Sequence, residues 1–122
     1  MCIRDRDKDA AKAVKDRKLR GKKETAVEDG YAWLDKNWDV TKNPNYDAWH
    51  YYYLYGMERA GVLSNRIFIG GHDWYREGGK VILDAQRGAM WDDGKGDGPI
   101  ASTCFAVLFL TRATVPLVQT TR

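Results

Sequence analysis

Apolar residues recur at three- and four-residue steps through Val27, Gly30 or Tyr31, Leu34 and Trp38, which predicts a helix over Thr25–Trp38 with one apolar face. Thr25 and Glu28 have the capping-box spacing that would start it. Asn43-Pro44-Asn45 then marks a loop, because the residue before a proline is pushed out of the helical region. A second helix is expected over Asp47–Ala60, its stripe formed by Trp49, Tyr53, Met57 and Ala60, with Gly61 as a left-handed C-cap. Ile67, Phe68 and Ile69 make a β-like triplet with no matching partner, so residues 61–72 read as a packed connection.

A third helix is expected from Asp73 to Gln86, with Trp74, Gly78, Val81 or Ile82 and Ala85 inward. Asp92–Gly98 is a Gly- and Asp-rich loop, and Pro99 suits the first turn of a fourth helix reaching Ala113. That helix is apolar nearly all round, which predicts burial on every side. Gly30–Asn37 can be laid on Gly79–Gln86, and Tyr46–Ala60 on Pro99–Ala113, so residues 25–113 read as two helical-hairpin repeats. Two such repeats leave open ends, so the chain is expected to be a piece of a longer array and to self-associate through uncovered apolar helices.

Charge changes the picture at the front of the chain. Residues 1–24 carry ten Lys or Arg against five Asp or Glu, and the remainder ten against twelve. The segment reads first as a charged leader, a solvated helix or frayed end interleaved with acids, and second as a basic arm for nucleic acid or an anionic surface. It lacks the aromatic rings of a single-strand platform, and no nucleic-acid partner is expected. The opening Met1-Cys2-Ile3-Arg4-Asp5-Arg6 resembles translated adapter sequence found in metagenomic genes, so the true N-terminus is expected to be missing and the compartment is left open. The apolar run Ile100–Leu110 is too short to cross a bilayer, so no transmembrane segment is expected. Cys104, within it, reads as a buried small hydrophobe.

The segment Asp84-Ala85-Gln86-Arg87-Gly88-Ala89-Met90-Trp91, the Gly/Asp loop, and Ser102–Leu110 together resemble a repeat of the squalene cyclase and prenyltransferase superfamily. The run Ile69–Gly78 is similar to an uncharacterised bacterial branch of it. The resemblance implies an all-α fold, part of an α/α toroid of antiparallel helical hairpins, here a C-terminal fragment, with 114–122 as a tail. It implies structural roles for Gln86, Gly88 and Trp91, the glutamine closing helix-end backbone groups and the tryptophan stacking on it.

The family's chemistry does not follow the resemblance. The only adjacent acids, Asp92 and Asp93, sit in the Gly-rich loop, so the Asp-x-Asp-Asp proton donor of the polyprene cyclases is missing. Ser102 stands where a zinc-binding imidazole would be, and His50, His72 and Cys104 lack close ligand spacing. No catalytic residue, metal or cofactor is expected. His72-Asp73 reads first as a helix cap and otherwise as an acid/base pair near a cavity mouth. Candidate cavity residues are Trp49, His50, Tyr53, His72, Asp73 and Trp74. Trp49 and Tyr53 are also the expected core anchors, and Tyr51 and Tyr55 are undecided. The expected ligand is an isoprenoid or a protein partner, with a sugar-active α/α barrel as the third reading.

Overall fold

The computed structural model describes residues 3–112, which form α1 (Ile3–Lys36), α2 (His50–Leu63), β1 (Phe68–Ile69), β2 (His72–Asp73), α3 (Trp74–Ala85) and α4 (Gly98–Thr111). The fold class is all-α, with one two-stranded antiparallel hairpin among the described residues. No helix among them is long and apolar enough to cross a membrane. The expected tail 114–122 and Ala113 lie outside the described residues.

The described residues divide into two compact units between Leu34 and Asp35. The first is the body of α1. It is rich in Ala, Lys and Arg and no proline interrupts it, so helix propensity carries through the expected start at Thr25. The Thr25 hydroxyl donates back to the Gly21 carbonyl at 3.0 Å, an intrahelical bond rather than an N-cap.

In the second unit, α2 packs chiefly on α4 and also on α3. The buried stripe of α2 is Tyr51, Leu54, Met57, Glu58 and Gly61, which shares Met57 with the expected stripe but leaves out Trp49, Tyr53 and Ala60. Gly61 therefore lies inside the helix. Its missing Cβ admits the Trp74 indole, whose Cε2 would stand 2.5 Å from a methyl group there. Ser64 ends the helix, followed by Asn65 at φ +55°. The expected connection after α2 is a hairpin instead: Ile69 pairs with His72 and Phe68 with Asp73. Gly70 at φ +58° makes the tight reversal that a longer side chain would resist.

α3 follows its predicted course, with Trp74, Gly78, Gly79 and Ile82 inward. Phe109 of α4 is fully buried, edge-on to Trp74 at 6.0 Å and stacked on Tyr75 at 5.7 Å. Gly78 makes room for it, since a Cβ there would meet Phe109 Cζ at 2.6 Å. α4 is not walled in on every side. Ser102, Ala106 and Phe109 are buried, whereas Ile100 is 82% exposed and Val107 45%. Cys104 is exposed and unpaired rather than a core residue. An all-round apolar sequence permits burial of any face, and among the described residues α4 packs chiefly on α2 and also on α3.

Candidate functional site

The candidate cavity residues fall into two sets, one at the start of α2 and one at the start of α3. Trp49, the residue before α2, adopts φ +61°, a left-handed conformation uncommon for a bulky side chain. Its indole lies over Gly96, where a Cβ would approach Trp49 Cε2 to 3.3 Å. Trp49, Tyr52 and Asn43 line a cleft of about 410 Å³. From Trp49 a row of rings runs along α2 and α4. Trp49 to Tyr52 is 6.4 Å, Tyr52 to Phe105 5.5 Å and Phe105 to Tyr55 5.2 Å between centroids. The Arg59 guanidinium ends the row, 5.7 Å from the Tyr55 ring and donating to its hydroxyl at 3.1 Å. Trp49 is 43% and Tyr52 57% exposed, so Trp49 forms part of a wet wall rather than of the core expected for it.

His50 and Tyr53 do not face that cleft. His50 Nε2 lies 2.7 Å from the Val40 carbonyl, and the Tyr53 hydroxyl donates to the Asp39 carbonyl at 2.8 Å. Both fasten the preceding loop to α2. Burial, with the Asp39 charge in second place, pushes the Tyr53 hydroxyl up to about 12. Tyr51, undecided from sequence, is the buried ring of this helix, at 3% exposure.

Asp93 and Asp97 of the 92–98 loop serve the start of α2. Asp97 Oδ2 accepts the Tyr52 N–H at 3.3 Å. Asp93 accepts the N–H groups of Lys95 and Gly96 at 3.0 and 3.2 Å, and Trp49 contributes another. Burial pushes the Asp93 carboxyl up, but these N–H groups together outweigh it and hold the carboxyl below its ordinary range. Burial raises Asp97, and nearby Asp93 raises it further. Nothing at Trp49 signals such a cap, because the carboxylates come from the other end of the unit.

At the start of α3, His72 Nδ1 faces both Glu77 oxygens at 3.2 and 3.1 Å, and its ring stacks on Trp38 at 4.4 Å and 11°. Trp38 Nε1 donates to the same carboxylate at 3.1 Å. A carboxylate only accepts, so Nδ1 donates to Glu77, and Nε2 lies 3.9 Å from Asp35 Oδ1. Glu77 also suits the positive end of α3. Asp73 is the N-cap of α3, accepting the Arg76 N–H at 3.1 Å. Trp74 is buried and donates to the Arg66 carbonyl at 2.7 Å. His72 and Asp73 are both half-buried, and Asp73 is occupied by the cap. Asp35, Trp38 and Glu77, which orient His72, carry no motif of their own.

The repeat-motif residues differ in role. Gln86 is exposed, and its backbone N–H ends α3 on the Leu83 carbonyl. Trp91 is the side chain that closes the last turn, donating from Nε1 to the Ile82 carbonyl at 2.7 Å. Its own backbone is held by Thr103 Oγ1. Gly88 takes φ +60° in the turn between Arg87 and Met90. Among the described residues no His, Cys, Asp and Glu are grouped as a metal site.

No family model, curated protein or solved structure matches this chain.

Proposed function

We propose that the chain is a helical-hairpin segment of a squalene cyclase/prenyltransferase-like α/α toroid protein, and that its role is to line an apolar cavity holding an isoprenoid-like chain. The row Trp49–Tyr52–Phe105–Tyr55 carries this reading: four rings from two helices lie in sequence beside a cleft, with two of them substantially exposed. Aromatic side chains in a partly wet wall suit a flexible hydrocarbon, which contacts successive rings without needing hydrogen-bond partners. Of the acids beside the wall, Asp93 accepts the N–H groups of Lys95 and Gly96, and Asp97 accepts the Tyr52 N–H through Oδ2.

The test is a fluorescence titration of the full chain with farnesol. Saturable quenching should weaken about 5–30-fold in Tyr52→Ala, the effect of losing a ring contact of about 1–2 kcal/mol. Unchanged affinity in that variant, or no saturation, defeats the proposal. Saturation by a soluble oligosaccharide but not by farnesol replaces it with the sugar-active reading, and capture of a peptide without either ligand replaces it with a protein-binding toroid.

A further inference from the structure

α1 holds a second surface, independent of the aromatic wall. Residues 6–30 are exposed on every side, so the faces of this helix are set by sequence spacing alone. Lys8, Lys12, Lys15, Lys18 and Lys22 follow one another by three or four residues and fall within one sector of about 120° at 100° per residue. The other residues in that sector are Ala11 and Leu19, and the nearby acids Asp9 and Asp16 lie outside it. This spacing ordinarily builds the apolar stripe of an amphipathic helix, and here it is occupied by ammonium groups. Between Lys8 and Lys22 seven Lys or Arg face two Asp, a net charge of +5. None of the five stripe lysines is in an ion pair among the described residues.

We propose that this lysine stripe docks α1 against the phosphate backbone of duplex DNA, without base readout. Five cations over about 21 Å of helix match a linear polyanion, which carries a phosphate at short regular intervals. Lysine is a compact point charge that neutralises phosphate without the bidentate geometry that reads guanine. A bare helix of about 10–12 Å diameter fits the B-form major groove of about 12 Å, whereas the A-form RNA groove is too narrow. An anionic membrane needs an apolar face to insert, and α1 has none, its few apolar residues being scattered around the axis. The lack of aromatic rings, which argues against single strands, places no limit on duplex binding.

The experiment is fluorescence anisotropy of a labelled 20-base-pair DNA duplex titrated with the full chain at several salt concentrations. Five neutralised phosphates predict a slope of log K against log salt of about −4.5, a loss of about 500-fold between 50 and 200 mM salt. The variant Lys15→Gln/Lys18→Gln should flatten the slope by about 2, and Arg17→Gln/Arg20→Gln, which removes equal charge from another face, should leave it close to the parent value. Gln and Lys have similar helix propensity, and circular dichroism verifies that both variants keep their helix. Absence of binding at 50 mM salt overturns the proposal. So does equal loss in the two variants, tighter binding to an RNA duplex, or binding to phosphatidylserine vesicles in place of DNA.

Discussion

The Asp97 carboxylate accepts the backbone N–H of Tyr52 at 3.3 Å, joining the start of α4 to the start of α2 across 45 residues of chain. α2 begins at Trp49 with no side-chain cap of its own, so its first-turn N–H groups depend on acids from the α3–α4 loop. The same loop supports the Trp49 indole through Gly96. The aromatic wall and the helix start are therefore one construction.

Asp93 and Asp97 should respond to acid in opposite senses. The Asp93 carboxyl is lowered from 3.8, so its contribution is intact above 3.8 and disappears as pH falls through the lower folded value. The Asp97 carboxyl is raised from 3.8, so its protonation on acidification favours the folded chain. We expect Asp93→Ala to lower stability by about 1 kcal/mol near neutrality, the ordinary effect of losing a cap, with the gap to the parent closing below 3.8. Urea melts from pH 2.5 to 7 measure it, and a gap that widens on acidification contradicts the assignment.

Two glycines on α2 should behave in opposite ways. Nothing lies within 4 Å of a Cβ built on Gly56, whereas one on Gly61 would meet the Trp74 ring at 2.5 Å. Gly56→Ala should stabilise by about 0.5–1 kcal/mol through helix propensity, and Gly61→Ala should destabilise by about 1–3 kcal/mol through overpacking. Thermal denaturation decides, and a stabilised Gly61→Ala would mean that Trp74 packs elsewhere.

Tyr53 should ionise well above the ordinary tyrosine range. Its hydroxyl sits at about 12 when folded against 10.0 ordinarily, so its contribution is complete below 10.0 and is lost as pH rises toward 12. Absorbance titration at 295 nm of the parent and Tyr53→Phe should differ only at the alkaline end. Tyr53→Phe should also cost about 1 kcal/mol at neutral pH, from the lost bond to Asp39.

Glu77 accepts from both Trp38 and His72, whereas Asp35 only approaches His72 at 3.9 Å. Glu77→Ala should therefore lower stability by about 1–2 kcal/mol, and Asp35→Ala by less than about 0.5 kcal/mol, the usual range of an exposed ion pair. A double-mutant cycle between Trp38→Phe and Glu77→Gln should return a coupling, and additivity would dissolve the cluster.

Cys104, exposed on α4, should react with Ellman's reagent in the native Cys2→Ser protein at the rate of a free thiol. Protection that vanishes only in denaturant would restore the buried reading.

Much of the helical layout is legible along the chain because its signals are local. Asp73 before Trp74 caps α3, Pro99 opens α4, and the Trp74–Gly78–Ile82 stripe is inward as its spacing requires. The two-residue strands are not legible, since Phe68 and Ile69 find their partners in Asp73 and His72, which have no strand character. His72 is visible as a candidate, but Glu77, Trp38 and Asp35 join it only through the hairpin and the end of α1.

The order of residues by itself determined where helices form, where two of them start, and which segments are charged or apolar, because propensity, capping and proline act over a few residues. Only the tertiary structure decided that Tyr51 rather than Trp49 is buried, that Ile100, Cys104 and Val107 of α4 are exposed, and that Asp97 caps α2. An aromatic-rich helix offers several faces of similar hydrophobicity, and the one that packs is chosen by the neighbouring helices, through contacts that no local pattern encodes.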